Sequence, residues 1–149
     1  MELPWNSPGF VNVYFIEDKD GYVMIDCGVN GIEYQKLLES KMKSFGLSYE
    51  NVKLLIGTHM HSDHIGLSST LRDKDIPFAL YKNSVDFIDS YNDWSIRFKK
   101  LKEFAKKEGA PKNFLNSLDQ IATPIYAGKI SKPDVLLDEG NIKNINRNI

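Results

Sequence analysis

The apolar positions of this chain switch between a period of two and a period near 3.6, and the switches outline its elements. Val11-Asn12-Val13-Tyr14-Phe15-Ile16 is rich in β-branched and aromatic residues, and beyond Asp18-Lys19-Asp20-Gly21 comes a second run, Tyr22-Val23-Met24-Ile25. Two apolar runs joined by an Asp/Gly turn predict a β-hairpin. Pro4 and Pro8 make an irregular lead-in. After Cys27-Gly28-Val29-Asn30-Gly31 the period lengthens. Tyr34, Leu38, Met42 and Phe45, joined by Leu37, share a helical face, and Gly46 stands where a left-handed C-terminal residue belongs. Val52-Lys53-Leu54-Leu55-Ile56-Gly57-Thr58 is a near-continuous apolar run, the pattern of a buried strand.

Residues 65–71 read as one short helix and Pro77-Phe78-Ala79-Leu80-Tyr81 as another strand. From about residue 83 to 122 the pattern is helical. Trp94, Phe98, Leu101 and Ala105 lie at helical spacing, Phe104 widens the stripe, and Lys99, Lys100, Lys102, Lys106 and Lys107 fall mostly outside it as a solvated face. Pro111 opens a further helix with Phe114, Leu115, Leu118 and Ile121 on one face. Residues 134–140 resemble a strand running into a turn, and residues 141–149, mostly Asn and Ile, show neither alternation nor a cap. Hairpin, helix, strand, helix, strand is the order of a layered α/β domain, and 149 residues suit one such domain.

Composition narrows the setting. A net charge of −1 argues against nucleic acid or an anionic membrane as the main partner. A lone Cys27 excludes an internal disulfide and a Cys-rich zinc ribbon and suits a reducing compartment. No apolar run reaches the 18 or so residues of a membrane span, and the opening MELPWNSPGF has no basic and apolar leader pattern. A cytoplasmic location and a small-molecule substrate are therefore expected.

The chemistry is concentrated. All three histidines lie in Thr58-His59-Met60-His61-Ser62-Asp63-His64, at the exit of the buried strand, where α/β sheets place their ligands. Imidazole and carboxylate are good ligands for Zn²⁺ and similar cations. In extended backbone His59 and His61 project to one side and suit a single ion. Asp63 and His64 follow where the chain bends, which predicts a second metal position a few Å away. A closed structural zinc site, which usually wants cysteine among four ligands, does not fit one cysteine.

The segment THMHSDHIG resembles the H-x-H-x-D-H signature of the metallo-β-lactamase superfamily. The hairpin with Asn12-Val13-Tyr14-Phe15-Ile16, the segment Ile25-Asp26-Cys27-Gly28, the strand at 77–81 and the stretch 135–140 are similar to flanking elements of that family. The resemblance implies the N-terminal portion of an αββα sandwich with a helical insertion. It implies that His59 and His61 bind a first zinc ion and Asp63 and His64 a second, with Asp63 also orienting the nucleophile. Asp26 would brace the ligand loop with a buried carboxylate. Histidine at position 61, where diiron relatives usually carry Glu, favours a zinc hydrolase.

The family completes its site with a third histidine on the first metal, a bridging acid and a last histidine on the second, and no histidine follows His64. The expectation is a single domain over residues 1–149, incomplete at its C-terminal side, with weak or partial zinc binding. Asp134, Asp138 and Glu139 match no family position. An intact relative would use a metal-activated water on a thioester, lactone, lactam or phosphodiester, while this chain alone would be inactive. The alternatives are a non-catalytic metal-binding remnant, or a subunit completed by another chain; self-association is a further expectation. Trp94 and Phe98 either belong to the core or form an apolar wall at the mouth of the site.

Overall fold

Residues 1–5, 9–120 and 130–139 are described by the computed structural model. Strands β1 (Glu2–Pro4) and β2 (Phe10–Asn12) pair antiparallel in a small sheet of their own. Strands β3 (Tyr14–Asp18), β4 (Gly21–Ile25), β5 (Val52–Ile56), β6 (Phe78–Tyr81) and β7 (Val135–Leu137) form a five-stranded sheet in that order. β3 runs antiparallel to β4, and β4 through β7 are mutually parallel. The Asp/Gly turn joins the hairpin as the sequence predicts. Its first arm is not one strand, however: at Val13 the chain passes from the small sheet to the large one.

Parallel strands need crossovers. Helix α1 (Ile32–Ser44) links β4 to β5, and α2 (Ser62–Ile65) with α3 (Ser68–Arg72) links β5 to β6. A 3₁₀ segment (Lys82–Phe87), α4 (Ile88–Asn92), α5 (Trp94–Lys107) and α6 (Lys112–Leu118) follow β6. At the end of α1, Leu47 N–H donates to Met42 O and Gly46 N–H to Lys43 O, with Gly46 at φ 72. This double closure satisfies the last carbonyls. It also carries Phe45 off the buried stripe, leaving it 71% exposed where the periodicity placed it in the core.

Alternation along the strands gives the sheet two apolar faces. Met24, Leu55, Phe78 and Leu80 join Leu38 and Met42 of α1, and Ile65 and Leu71 of α2 and α3, in the main core. Val23, Leu54 and Ala79 point the other way, flanked by partly buried Ile25, Ile56, Val135 and Leu137. Among the described residues that second cluster contains strand residues only.

Three further expectations are corrected. The single helix over 65–71 is two short ones, because Cys27 N–H donates to His64 O (2.7 Å) and takes the carbonyl a continuous helix would offer to Ser68. The stripe on α5 is not core: Ala105 is buried, Leu101 and Phe104 are exposed, and Trp94 and Phe98 are partly buried with ring centroids 5.6 Å apart. On α6 Leu118 is buried and Phe114 exposed. Asp134 is structural: Oδ2 accepts from Phe78 N–H (2.9 Å) and Oδ1 from Arg72 (2.6 Å), which fixes the start of β7. Asp138 pairs with Lys82. Pro8, Ile121, Gly140 and residues 141–149 lie outside the described residues. None of the described helices is long and apolar enough to cross a membrane.

Candidate metal centre

The ends of β4 and β5 lie side by side, since Ile25 is in register with Ile56. Asp26 follows β4 with φ 59, a left-handed conformation that a short polar side chain tolerates better than most. Its N–H donates to Ile56 O (2.9 Å), and this turn aims the carboxylate, 3% exposed, across the end of β5. There Oδ1 accepts from Thr58 N–H (2.8 Å), the carboxylate accepts from Thr58 Oγ1 (2.8 Å to Oδ2), and Oδ2 accepts from His64 Nδ1 (2.6 Å). Strain of this kind persists where the surroundings over-determine it. Here one buried carboxylate holds both ends of the His59–His64 segment.

The same carboxylate orders protons on two imidazoles. His64 Nδ1 carries the hydrogen it donates to Asp26, which leaves Nε2 as the lone-pair nitrogen of the neutral ring. Thr58 gives its single hydroxyl hydrogen to Asp26, so its oxygen accepts from His59 Nδ1 at 3.0 Å. His59 Nε2 is then also a lone-pair nitrogen, and it lies 3.0 Å from His61 Nδ1. Two nitrogens on one tetrahedral zinc ion would be about 3.3 Å apart, given Zn–N of roughly 2.0–2.1 Å. The His59–His61 pair therefore fits an ion with little adjustment. His64 Nε2 lies 3.7 Å from Asp63 Oδ2, and the His59 and His64 ring centroids are 4.1 Å apart.

The structure thus brings His59, His61 and His64 together, with Asp63 beside His64 and Asp26 behind it. The donors fall into pairs: among the described residues no three His, Cys, Asp or Glu side chains are disposed to hold one ion. Burial, and then the neighbouring His64 and His61, lower the pKa of His59 and keep it neutral. The hydrogen bond to Asp26 raises that of His64. Burial pushes the Cys27 thiol well above its ordinary range, so it is no thiolate ligand.

Sequence reasoning missed the wall of the site. Tyr91 of α4 faces His61 edge-on at 5.9 Å, and with Met60 and Phe87 it borders the opening. Phe98 instead lines a separate cavity between α5 and α6. An aromatic residue some thirty positions downstream carries no local signal of such a placement.

The sequence profile of the metallo-beta-lactamase superfamily matches residues 6–140. A Bacillus subtilis (strain 168) protein described as "Probable metallo-hydrolase YybB" is 28% identical over 90 residues, covering 60% of this chain and 37% of the relative. A second from the same organism, "Probable metallo-hydrolase YqjP", is 24% identical over 126 residues, 83% of this chain and 34% of the relative. The chain therefore spans about a third of the length of these curated relatives. Among solved structures, a metallo-beta-lactamase family protein from Thermus thermophilus superposes with a TM-score of 0.66 at 20% identity, over 94% of this chain and 45% of that one. The subclass B3 metallo-beta-lactamase BJP-1 of Bradyrhizobium japonicum gives 0.57 at 18% identity, over 87% and 39%.

Proposed function

Because this chain belongs to the metallo-β-lactamase superfamily, we propose that it carries the histidine-bearing half-site of a zinc-dependent hydrolase acting on a thioester, lactone, lactam or phosphodiester. The observation that supports this most directly is the convergence of His59 Nε2 and His61 Nδ1, 3.0 Å apart, at the C-terminal end of a parallel strand. His59 Nε2 and His61 Nδ1 would hold one ion, and Asp63 with His64 Nε2 a second. Zinc, when bound, supplies Lewis acidity and lowers the pKa of water toward neutrality.

The chain's own residues do the rest. Asp63 accepts a hydrogen bond from the attacking water and orients it. Asp26 acts through others: it fixes the His64 and Thr58 side chains, and through Thr58 the His59 ring, so both imidazoles present the correct nitrogen before metal arrives.

Two donors per ion are one fewer than catalytic zinc sites use. The full activity, in this reading, draws its remaining donors from polypeptide other than the described residues, supplied in the same protein or by a second chain, and the 149 residues alone turn over no substrate. The test is metal analysis after dialysis of the chain loaded with zinc. Weak, substoichiometric zinc that falls further in His59→Ala and His61→Ala supports the half-site. Zinc retention unaffected by either substitution overturns it. Chelator-sensitive turnover by the well-folded chain, lost in His59→Ala, would show that no further donors are needed.

A further inference from the structure

A cavity of about 370 Å³ opens directly beside His61, lined by Met60, Phe87, Tyr91, Asp86, Arg97 and Lys100 among others. Its size falls at the lower end of small-molecule sites, which pair apolar walls with a few polar groups. Met60, Phe87 and Tyr91 supply the wall. The charged groups are Arg97, Lys100 and Asp86, two cations against one carboxylate, a net of one positive charge among them.

Arg97 is held in a particular way. Its guanidinium lies over the Tyr91 ring at 5.3 Å and over the Trp94 ring at 5.6 Å. These aromatic contacts, with a hydrogen bond to the Tyr91 hydroxyl, hold the guanidinium at the cavity, where its remaining N–H donors can meet a planar acceptor. Among the described residues Arg97 and Lys100 form no ion pair, whereas Lys102, one turn from Phe98, pairs with Asp119. A positive pair without a carboxylate partner, on the rim of an aromatic-walled cavity that ends at an imidazole, is arranged for a bound anion.

We propose that this cavity is the substrate subsite of the half-site above, that its substrate is a monoanion with an apolar or aryl body, and that Arg97 is the positioning residue that grips its carboxylate. Asp86 disfavours a dianion, and the single net positive charge matches one carboxylate. The body of the substrate would lie along Tyr91 and Phe87, which directs its far end past His61. The assignment of a reacting end at His61 rests on the hydrolase reading. The anion contact does not.

The experiment therefore uses the whole 149-residue chain freed of metal with a chelator, titrated with phenylacetate and with its neutral isostere phenylacetamide. Ring resonances of His61 and Tyr91 are followed by NMR. Phenylacetate is expected to shift both and to bind about tenfold more tightly than the amide, the scale of a charge-assisted contact. Arg97→Gln should abolish the preference while leaving the far-ultraviolet circular dichroism unchanged, and Arg97→Lys should restore only part of it. Asp63→Asn, at a residue outside the cavity lining, should keep the preference even where it weakens zinc uptake. Equal binding of acid and amide, shifts confined to other residues, or an Arg97→Gln protein that still prefers the acid would overturn the assignment. Tighter binding of phenyl phosphate than of phenylacetate would overturn the monoanion class. In the parent chain, no acid preference with zinc uptake present rejects this subsite alone, and no zinc uptake with the preference present rejects the metal reading alone.

Discussion

His64 Nδ1 and Asp26 Oδ2 meet at 2.6 Å across 38 positions of sequence, and this contact ties the end of β4 to the first turn after β5. It is reinforced by Cys27 N–H donating to His64 O at 2.7 Å, so backbone and side chain of His64 are both held by the same short segment. The histidine cluster is consequently a product of two strands, although its side chains are contiguous in sequence.

Asp26→Ala removes the acceptor of Thr58 N–H, Thr58 Oγ1 and His64 Nδ1 at once. Leaving buried donors unpaired should lower stability by about 3 kcal/mol, read as a reduced urea midpoint with unchanged slope. Asp26→Asn keeps the shape and tolerates the positive φ. It should cost only about 1 kcal/mol. Its amide NH₂ cannot accept the His64 Nδ1 hydrogen, so the ring loses its fixed tautomer and zinc retention should still weaken. An alanine variant as stable as the parent would show that the network contributes nothing to folding.

The two perturbed histidines should titrate on opposite sides of the ordinary value of 6.5: His64 above it, held up by Asp26, and His59 below it, held down by burial and its neighbouring rings. A folded pKa above the unfolded one stabilises at pH below the unfolded value, and that contribution disappears as pH rises through the folded pKa. His64 therefore favours the fold most under mildly acid conditions. His59 has the opposite sign, opposing the folded state as pH falls below the unfolded value. Ring NMR titration of the metal-free chain reads both, and Asp26→Asn should bring His64 down. The reverse order of the two rings would show the tautomer assignment to be wrong.

The hairpin, α1, β5 and β6 were legible because each is set by local patterning that tertiary contacts reinforce. The cluster His59, His61, Asp63 and His64 was legible because four donor side chains occupy six consecutive residues. The break after Ile65 was not, since it depends on Cys27 taking the His64 carbonyl, a partner that periodicity does not reveal. On α5 the pattern marked which face is apolar and was silent on what covers it. Tyr91 reaches His61, and Arg97 the same cavity, only through the path of the chain after β6, so neither carried a sequence signal of its place.

The second apolar face of the sheet should make the isolated chain self-associate. Ile16 on the edge strand is 51% exposed, with Tyr14 two residues away and also exposed, and Ile25, Ile56, Val135 and Leu137 continue the patch. Contiguous apolar surface on an open sheet edge favours pairing with another copy. Sedimentation should show a weight-average mass rising with concentration, and Tyr14→Lys with Ile16→Lys should shift it toward the monomer. Each exposed substitution should change stability by no more than about 0.5 kcal/mol. A parent chain that stays monomeric over the whole concentration range would show that the face is adequately covered.

Gly66 offers the sharpest test that the metal half-site depends on close packing between α2 and the segment after β4. Gly66 has helical φ and ψ, which any residue adopts, so the backbone itself does not require glycine. Space does. A Cβ placed there would lie 2.3 Å from Asn30 N, 2.3 Å from Ser62 O and 2.8 Å from Gly28 O, all backbone atoms. Alanine would have to push the helix and the 26–30 segment apart. Overpacking of this sort costs about 1–3 kcal/mol, and the displacement acts along the line that holds His64 to Asp26. Gly66→Ala should therefore lower the urea midpoint and also return the His64 titration toward its ordinary value, with weaker zinc retention. Gly46→Ala is the control. Gly46 has φ +72 and nothing within 4 Å of its would-be Cβ, so alanine there costs about 1 kcal/mol in backbone strain alone. Its His64 titration should match the parent's. If both variants lose stability and neither moves His64, the close approach at Gly66 supports the fold without positioning the histidine, and the coupling between packing and ligand geometry fails.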